Sequence, residues 1–305
     1  MTEHQFTPKF YYNTIGSHQP VLNINSGDSV ITSTVDALGW DKNSHVTRRG
    51  NPMTGPFYVN GSEPGDTLAI HFDYIYPNRD WGFTANAISE DIVESKTVRQ
   101  LHERDIDIKW NLDHPDGNTQ ISDANHALSD IQLPMKPFMG CFGLAPPLNQ
   151  FISTDTSGNY GGNMDYGKFV AGTTAYFPVF VEGALIHLGD GHALQGDGEI
   201  VGTGIEVSMD VKFTVKLIKH KKIHWPRGES DTHIFTIGNA RPLEKAIQHA
   251  TTEMVDLLNE DYHLNIEDAH ILLGQCVEYD LANIFNPAYT MVCKIHKEVL
   301  SKLNT

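Results

Sequence analysis

Leu188 to Glu199 reads L-G-D-G-H-A-L-Q-G-D-G-E, three carboxylates and one imidazole held among four glycines. Asp190 and His192 are two apart, as are Asp197 and Glu199. In extended backbone that spacing puts each pair on one face. Glycine accepts positive φ and lets another group come close to the backbone. These side chains can hold Zn²⁺ through a few nitrogen and oxygen donors, or Ca²⁺ through many oxygens. They can equally decorate two tight polar turns, and the stretch alone leaves both readings open. Its spacing is not that of an EF-hand loop.

Other candidates are weaker on their own. Gly161-Gly162-Asn163-Met164-Asp165 is a second glycine-bounded turn, and Asp36 ends the β-rich run STVDALGW. Turn chemistry accounts for either. Cys141, in M-G-C-F-G, is a formal nucleophile, but an isolated cysteine is usually a small buried hydrophobe. No neighbouring basic residue lowers its pKa. His45, His71, His114, His126, His187 and His220 are scattered and read as structural or surface residues. His187 has opposite strand parity to His192 unless a bulge intervenes. The loop Tyr76 to Gly82 reads as a pocket lid or a buried corner. GxSxG, HExxH and P-loop motifs are absent, and the glycine series has no following helix to bind a dinucleotide.

The elements that must position these residues are mostly strands. Val21–Ile24, Ser29–Thr34, Phe57–Val59 and Thr67–Tyr74 are β-rich, separated by the turns Ser26-Gly27-Asp28 and Pro64-Gly65-Asp66. A helix is expected near Ile88–Glu94, strand pairs within Lys96–Leu112 and a turn at Asp113–Gly117. Residues 138–215 have the glycine-rich β texture of a sandwich or barrel whose loops carry a site. A long strand is expected over Ile205–Ile218. Leu243, Ile247, Ala250, Met254 and Leu257 then recur with helical period after Pro242, and Asn265 is placed to cap a second helix. A final strand over Thr290–Ile295 is expected. The fold class is α+β and strand-dominated, a β-sandwich- or barrel-like body with a helical C-terminal part. One domain over 1–305 is expected, β-rich to 235 with an α+β tail over 236–305.

The chain has 305 residues, 40% of them hydrophobic, and 38 acidic against 22 basic residues give a net charge of −16. That balance argues against a uniformly basic nucleic-acid groove. Three cysteines without C-x-x-C argue against a disulfide framework or a zinc ribbon. Neither a signal peptide nor a membrane-length apolar run is legible, so the expected location is the cytoplasm, with no membrane partner.

Taken in order, GPFYVNGSEPGDTLAIHF (55–72), GCFGLAPP (140–147), GGNMD (161–165) and FPVFVEGALIHLGDGHALQGDGEIVGTGIE (177–206) resemble the acetamidase/formamidase family, as does the IEDAHILL tail. Residues 78–137 carry little of the likeness. The resemblance implies hydrolysis of a small linear amide to a carboxylic acid and ammonia, metal assistance and a homo-oligomer. Such hydrolysis needs a nucleophile made from water, a stabilised carbonyl oxygen and a proton for the leaving nitrogen. On the matching motifs, the expected ligands of a divalent metal, Zn²⁺ in preference to Ca²⁺, are Asp190 and His192 with Asp36, Asp165 and Glu206. Glu199 is the expected general acid/base, with Asp197 second because its shorter side chain reaches less far. The rival readings are a Cys141 amidase and a non-catalytic β-sandwich that binds metal or carbohydrate through acidic loops. One methylene changes discrimination by only ~1–3 kcal/mol, so the sequence does not select the amide.

Overall fold

Along Met209–Ile218 the side chains of Met209, Val211, Phe213 and Val215 are buried, while Asp210, Lys212, Thr214 and Lys216 between them are less so. This period of two makes a half-buried strand. Its long partner, Thr67–Pro77, pairs with it antiparallel over ten registered positions from Met209↔Pro77 to Ile218↔Thr67. The computed structural model describes residues 1–101, 103–114 and 116–303. Among the described residues, these two strands lie inside a nine-stranded sheet that packs against a six-stranded one. Phe57 of the smaller sheet meets Phe213 of the larger edge to face at 5.4 Å, and Phe142 meets Phe72 at 5.0 Å. Such pairs add to the area that the sheets remove from water. Neither sheet closes on itself. The body is therefore sandwich-like, not a barrel, with 38% strand against 16% helix.

The helix Leu243–Tyr262 begins directly after Pro242 and buries Ala246, Ala250, Met254, Leu257 and Leu258. Its buried stripe joins Cys293 and Ile295 in a second core on the large sheet. Asn265 caps the helix Ile266–Cys276 by accepting from Asp268 N at 2.9 Å. The chain then returns to the large sheet through Glu278–Asn283 and Tyr289–His296. Two expectations need correction. The long strand starts at Met209 instead of Ile205, and among the described residues the 88–112 region holds only short helical turns at Glu90–Ile92 and Ser95–Val98 before the strand Ile108–Asp113. Of the turn expected at Asp113–Gly117, Gly117 N donates to the Asp113 carbonyl at 2.8 Å, while residue 115 lies outside the described residues. Among the described residues no helix is long and apolar enough to cross a membrane.

Candidate active site

The strand Ile186–His192 carries the first half of the site. Ile186 and Leu188 belong to the main core, but so does Ala193, so the alternation slips by one residue between them. The slip falls at Asp190, whose φ is 59°. The neighbouring strand slips opposite it: Met139 and Phe142 both face the core, and Gly140 stands across from Asp190 in the register fixed by Met139↔Gly191 and Cys141↔Gly189. A Cβ on Gly140 would collide with Asp165 Oδ1 and come within 3.0 Å of His192 Cε1. Glycine is required there by space. Asp190 and His192 keep their two-residue spacing and turn away from the core together.

Loops supply the other acids. Asp165 follows the short strand Gly161–Asn163 at φ 44°. Glu199 ends a 3₁₀ turn, Asp197–Glu199, at φ 47°. Glu206 bridges back to His192 across an isolated antiparallel pair. All five groups are buried: Asp165 and His192 are fully enclosed, and Glu199, the least covered, is 6% exposed. Ligand atoms of Asp190, His192 and Glu206 lie within 4.8 Å of one another, as do those of Asp165, His192 and Glu199. His192 Nε2 is 2.9 Å from Glu206 Oε1 and 3.5 Å from Asp190 Oδ1. Three asparagines tie the acids down. Asn283 Nδ2 donates to Asp165 Oδ2 at 3.1 Å and to Glu199 Oε2. Asn286 Nδ2 donates to Asp165 Oδ2 at 2.7 Å, and Asn51 Nδ2 to Asp190 Oδ2 at 3.1 Å.

Enclosure sets the electrostatics, since a carboxylate out of water holds its proton more tightly. Burial, and then the charge of Asp165, push Glu199 well above the ordinary carboxylate range. Burial and Asp190 likewise raise Asp165. Glu206 is pushed up to about 8, by burial first, with His192 opposing. Burial opposes a charge on His192, but Glu206 and Asp190 outweigh it and raise its pKa.

Of the residues expected from sequence, Asp165, Asp190, His192, Glu199 and Glu206 are brought together. Asp36 is not. Its Oδ2 accepts from Arg79 Nη2 at 2.7 Å and its Oδ1 from Leu38 N and Trp40 N, so it serves as the buried anchor of a loop. Asp197 is exposed, because Gly198 at φ 85° turns the chain so that Glu199 alone faces inward. Cys141 is fully buried, and burial raises its thiol far above the range of a nucleophile. His187 also faces away from the core, with Nε2 3.0 Å from the Gly16 carbonyl, and the slip at Asp190 reconciles its odd position with that of His192. Asn51, Asn283 and Asn286 were not anticipated. The only hint for the last two is the N-I-F-N-P run before Pro287.

The cluster suits a divalent cation on the chemistry of its donors. His192 Nδ1 and Nε2, Asp165 Oδ1 and Glu206 Oε2 are buried and make no hydrogen bond among the described residues. The Nε2 stands close to two carboxylates yet is aligned with neither, and burying such atoms unpaired is costly. One imidazole with several carboxylate oxygens is a donor set for Zn²⁺, or for a harder cation if more oxygens join. A cavity of about 600 Å³ opens onto Asp190, Glu199 and Glu206.

Residues 19–157 and 151–286 match the model of the Acetamidase/Formamidase family. The chain belongs to that family. Among solved structures, the acetamidase of Bacillus halodurans is 29% identical with a TM-score of 0.85, covering 99% of this chain and 100% of that one. The acetamidase of Yersinia enterocolitica is 31% identical at 0.84, covering 98% and 93%. A putative formamidase of Schizosaccharomyces pombe is 22% identical over 224 residues, 59% of this chain and 54% of that protein. The chain thus spans about half the length of this curated relative but nearly all of the acetamidases of known structure.

Proposed function

We propose that this family member hydrolyses a linear amide to a carboxylic acid and ammonia, with a divalent cation held by Asp190, His192 and Glu206. The observation that carries the reading is the enclosed group of four carboxylates and one imidazole, several of its donor atoms unpaired, at the end of a cavity. Zn²⁺ is favoured by the imidazole. When bound, such a cation supplies positive charge for a developing oxyanion and acidifies water.

The chain's own residues divide the remaining work. Glu199, whose pKa is raised by burial and by Asp165, is the acid placed to hold a proton for the leaving nitrogen. Asn283 donates to both Asp165 and Glu199 and so fixes the two acids relative to each other. Asn51 fixes the orientation of Asp190. Cytoplasmic location and self-association belong to the same proposal, and sedimentation velocity tests the second.

The test is ammonia release from a panel of amides, with metal content measured on the same samples. Glu199→Gln keeps the shape and removes the titrating group. It should lose roughly two orders of magnitude or more in rate with metal retained. Full turnover by that variant would remove Glu199 from the mechanism. His192→Ala should lose metal and activity together.

A further inference from the structure

The cavity is far larger than formamide or acetamide requires. Its volume of about 600 Å³ falls in the range that holds drug-sized ligands. Beyond the acid cluster its wall carries the apolar side chains of Phe83, Ile106 and Phe285 beside the charged Arg104, Arg241 and Asp155. Phe83, Arg104 and Ile106 lie close together in the chain, within residues 83–106.

Arg104 is an exposed side chain and differs from Arg241, the other arginine of this cavity. Arg79, Arg227 and Arg241 each pair with a carboxylate at 2.7 Å or less. Among the described residues, no carboxylate lies within ion-pair distance of Arg104, although the protein carries a net charge of −16. Its Nε and Nη2 donate to the carbonyls of Val201 and Gly202 at 3.0 to 3.2 Å, and its Cζ stands 5.0 Å from the centre of the Phe285 ring. These contacts hold the group in place without a direct carboxylate partner. Arg104 lines the same cavity as Asp190, Glu199 and Glu206, so one ligand can touch both it and the cluster.

We infer that the amide taken at this site carries an anionic end: a monoamide of a dicarboxylic acid, with its amide at the acid cluster, its methylenes along Phe83 and Ile106, and its carboxylate on Arg104. The inference rests on the amidase reading for the reacting end but not for the binding of the tail. A guanidinium is suited to this task, since its planar fork matches a carboxylate and it is weakly hydrated.

The experiment compares glutaramate with pentanamide, its uncharged counterpart of the same chain length, in wild type, Arg104→Met and Arg104→Lys. Wild type should show at least tenfold higher kcat/KM for glutaramate. Arg104→Met should bring that ratio to about one, chiefly through KM, and Arg104→Lys should restore part of it. Calorimetric binding of glutarate to wild type and Arg104→Met separates this inference from the amidase reading. Arg104-dependent glutarate binding without ammonia release from any amide sustains the inference and removes the amidase reading. Equal kcat/KM for the two amides, or glutarate binding that is absent or unaffected by Arg104→Met, overturns the inference.

Discussion

Asp165, Asp190 and Glu199 all sit on left-handed backbone, at φ 44°, 59° and 47°. That conformation costs an L-residue roughly 1 kcal/mol or more. Three strained acids in one cluster mean that the surrounding packing overrules local preference to aim them. His187, on the same strand as Asp190, shows the opposite use of burial. Enclosure disfavours its charge and lowers its pKa to about 3. Because the folded value lies below the ordinary 6.5, its contribution to stability is fully present above about pH 6.5. It is lost as the pH falls towards 3, at about 1.4 kcal/mol per pH unit. The raised carboxylates nearby respond in the other direction, gaining stability on acidification. The difference between wild type and His187→Gln isolates the histidine. Urea denaturation should show the variant gaining on wild type by roughly 1 kcal/mol between pH 6 and pH 5. Parallel pH profiles would mean that His187 does not stay neutral in the fold.

Elements decide which of those residues meet. The paired slip of Phe138–Gly143 and Ile186–His192 at Gly140 and Asp190 puts a bare backbone beneath the cluster. Gly140→Ala would drive a methyl into Asp165 and His192. Overpacking of this kind costs about 1–3 kcal/mol, which a domain of this size survives. A displaced acid costs more to the chemistry, on the order of 10²-fold. The expected variant is folded by circular dichroism, with metal affinity and ammonia release both sharply reduced. An active Gly140→Ala would mean that Asp165 can move without consequence. This strand pair also shows what the sequence discloses. Asp190 and His192 were legible because a spacing of two survives the slip. In the sequence only reach favours Glu199 over Asp197, whereas the chain selects it by a glycine turn that reverses the expected shared face. Asp36 offered the right side chain, but nothing in STVDALGW shows that Arg79 already occupies it. Asn51 and Asn283 lie so far from Asp165 and Asp190 in the chain that only the packed sheets bring them together.

At the scale of the molecule, the site draws on residues from Asn51 to Asn286, and two of its three clamping asparagines come from the tail. Glu278–Asn283 and Tyr289–His296 are also strands of the large sheet, so the tail is expected to share the fate of the body. Limited proteolysis should release no stable fragment spanning 240–305; recovery of one would divide the chain into two domains. The same reasoning makes a cation a property of the whole fold. Four buried carboxylates against one imidazole repel one another unless protons or a metal neutralise them, and removing metal leaves the protons to do so alone. A ligand that binds only the folded state at a hundred times its Kd stabilises by about 2.7 kcal/mol. In a chain of this size that corresponds to a rise in Tm of roughly 5 °C or more. Chelator-treated protein should therefore melt lower and release no ammonia, and Zn²⁺ should restore both. His192→Ala should melt at one temperature with or without Zn²⁺, since it lacks the imidazole shared by both groups of ligand atoms. A wild-type Tm indifferent to Zn²⁺, Ca²⁺ and chelator alike would sink the metal assignment, leaving the raised carboxylates as a purely proton-carrying site.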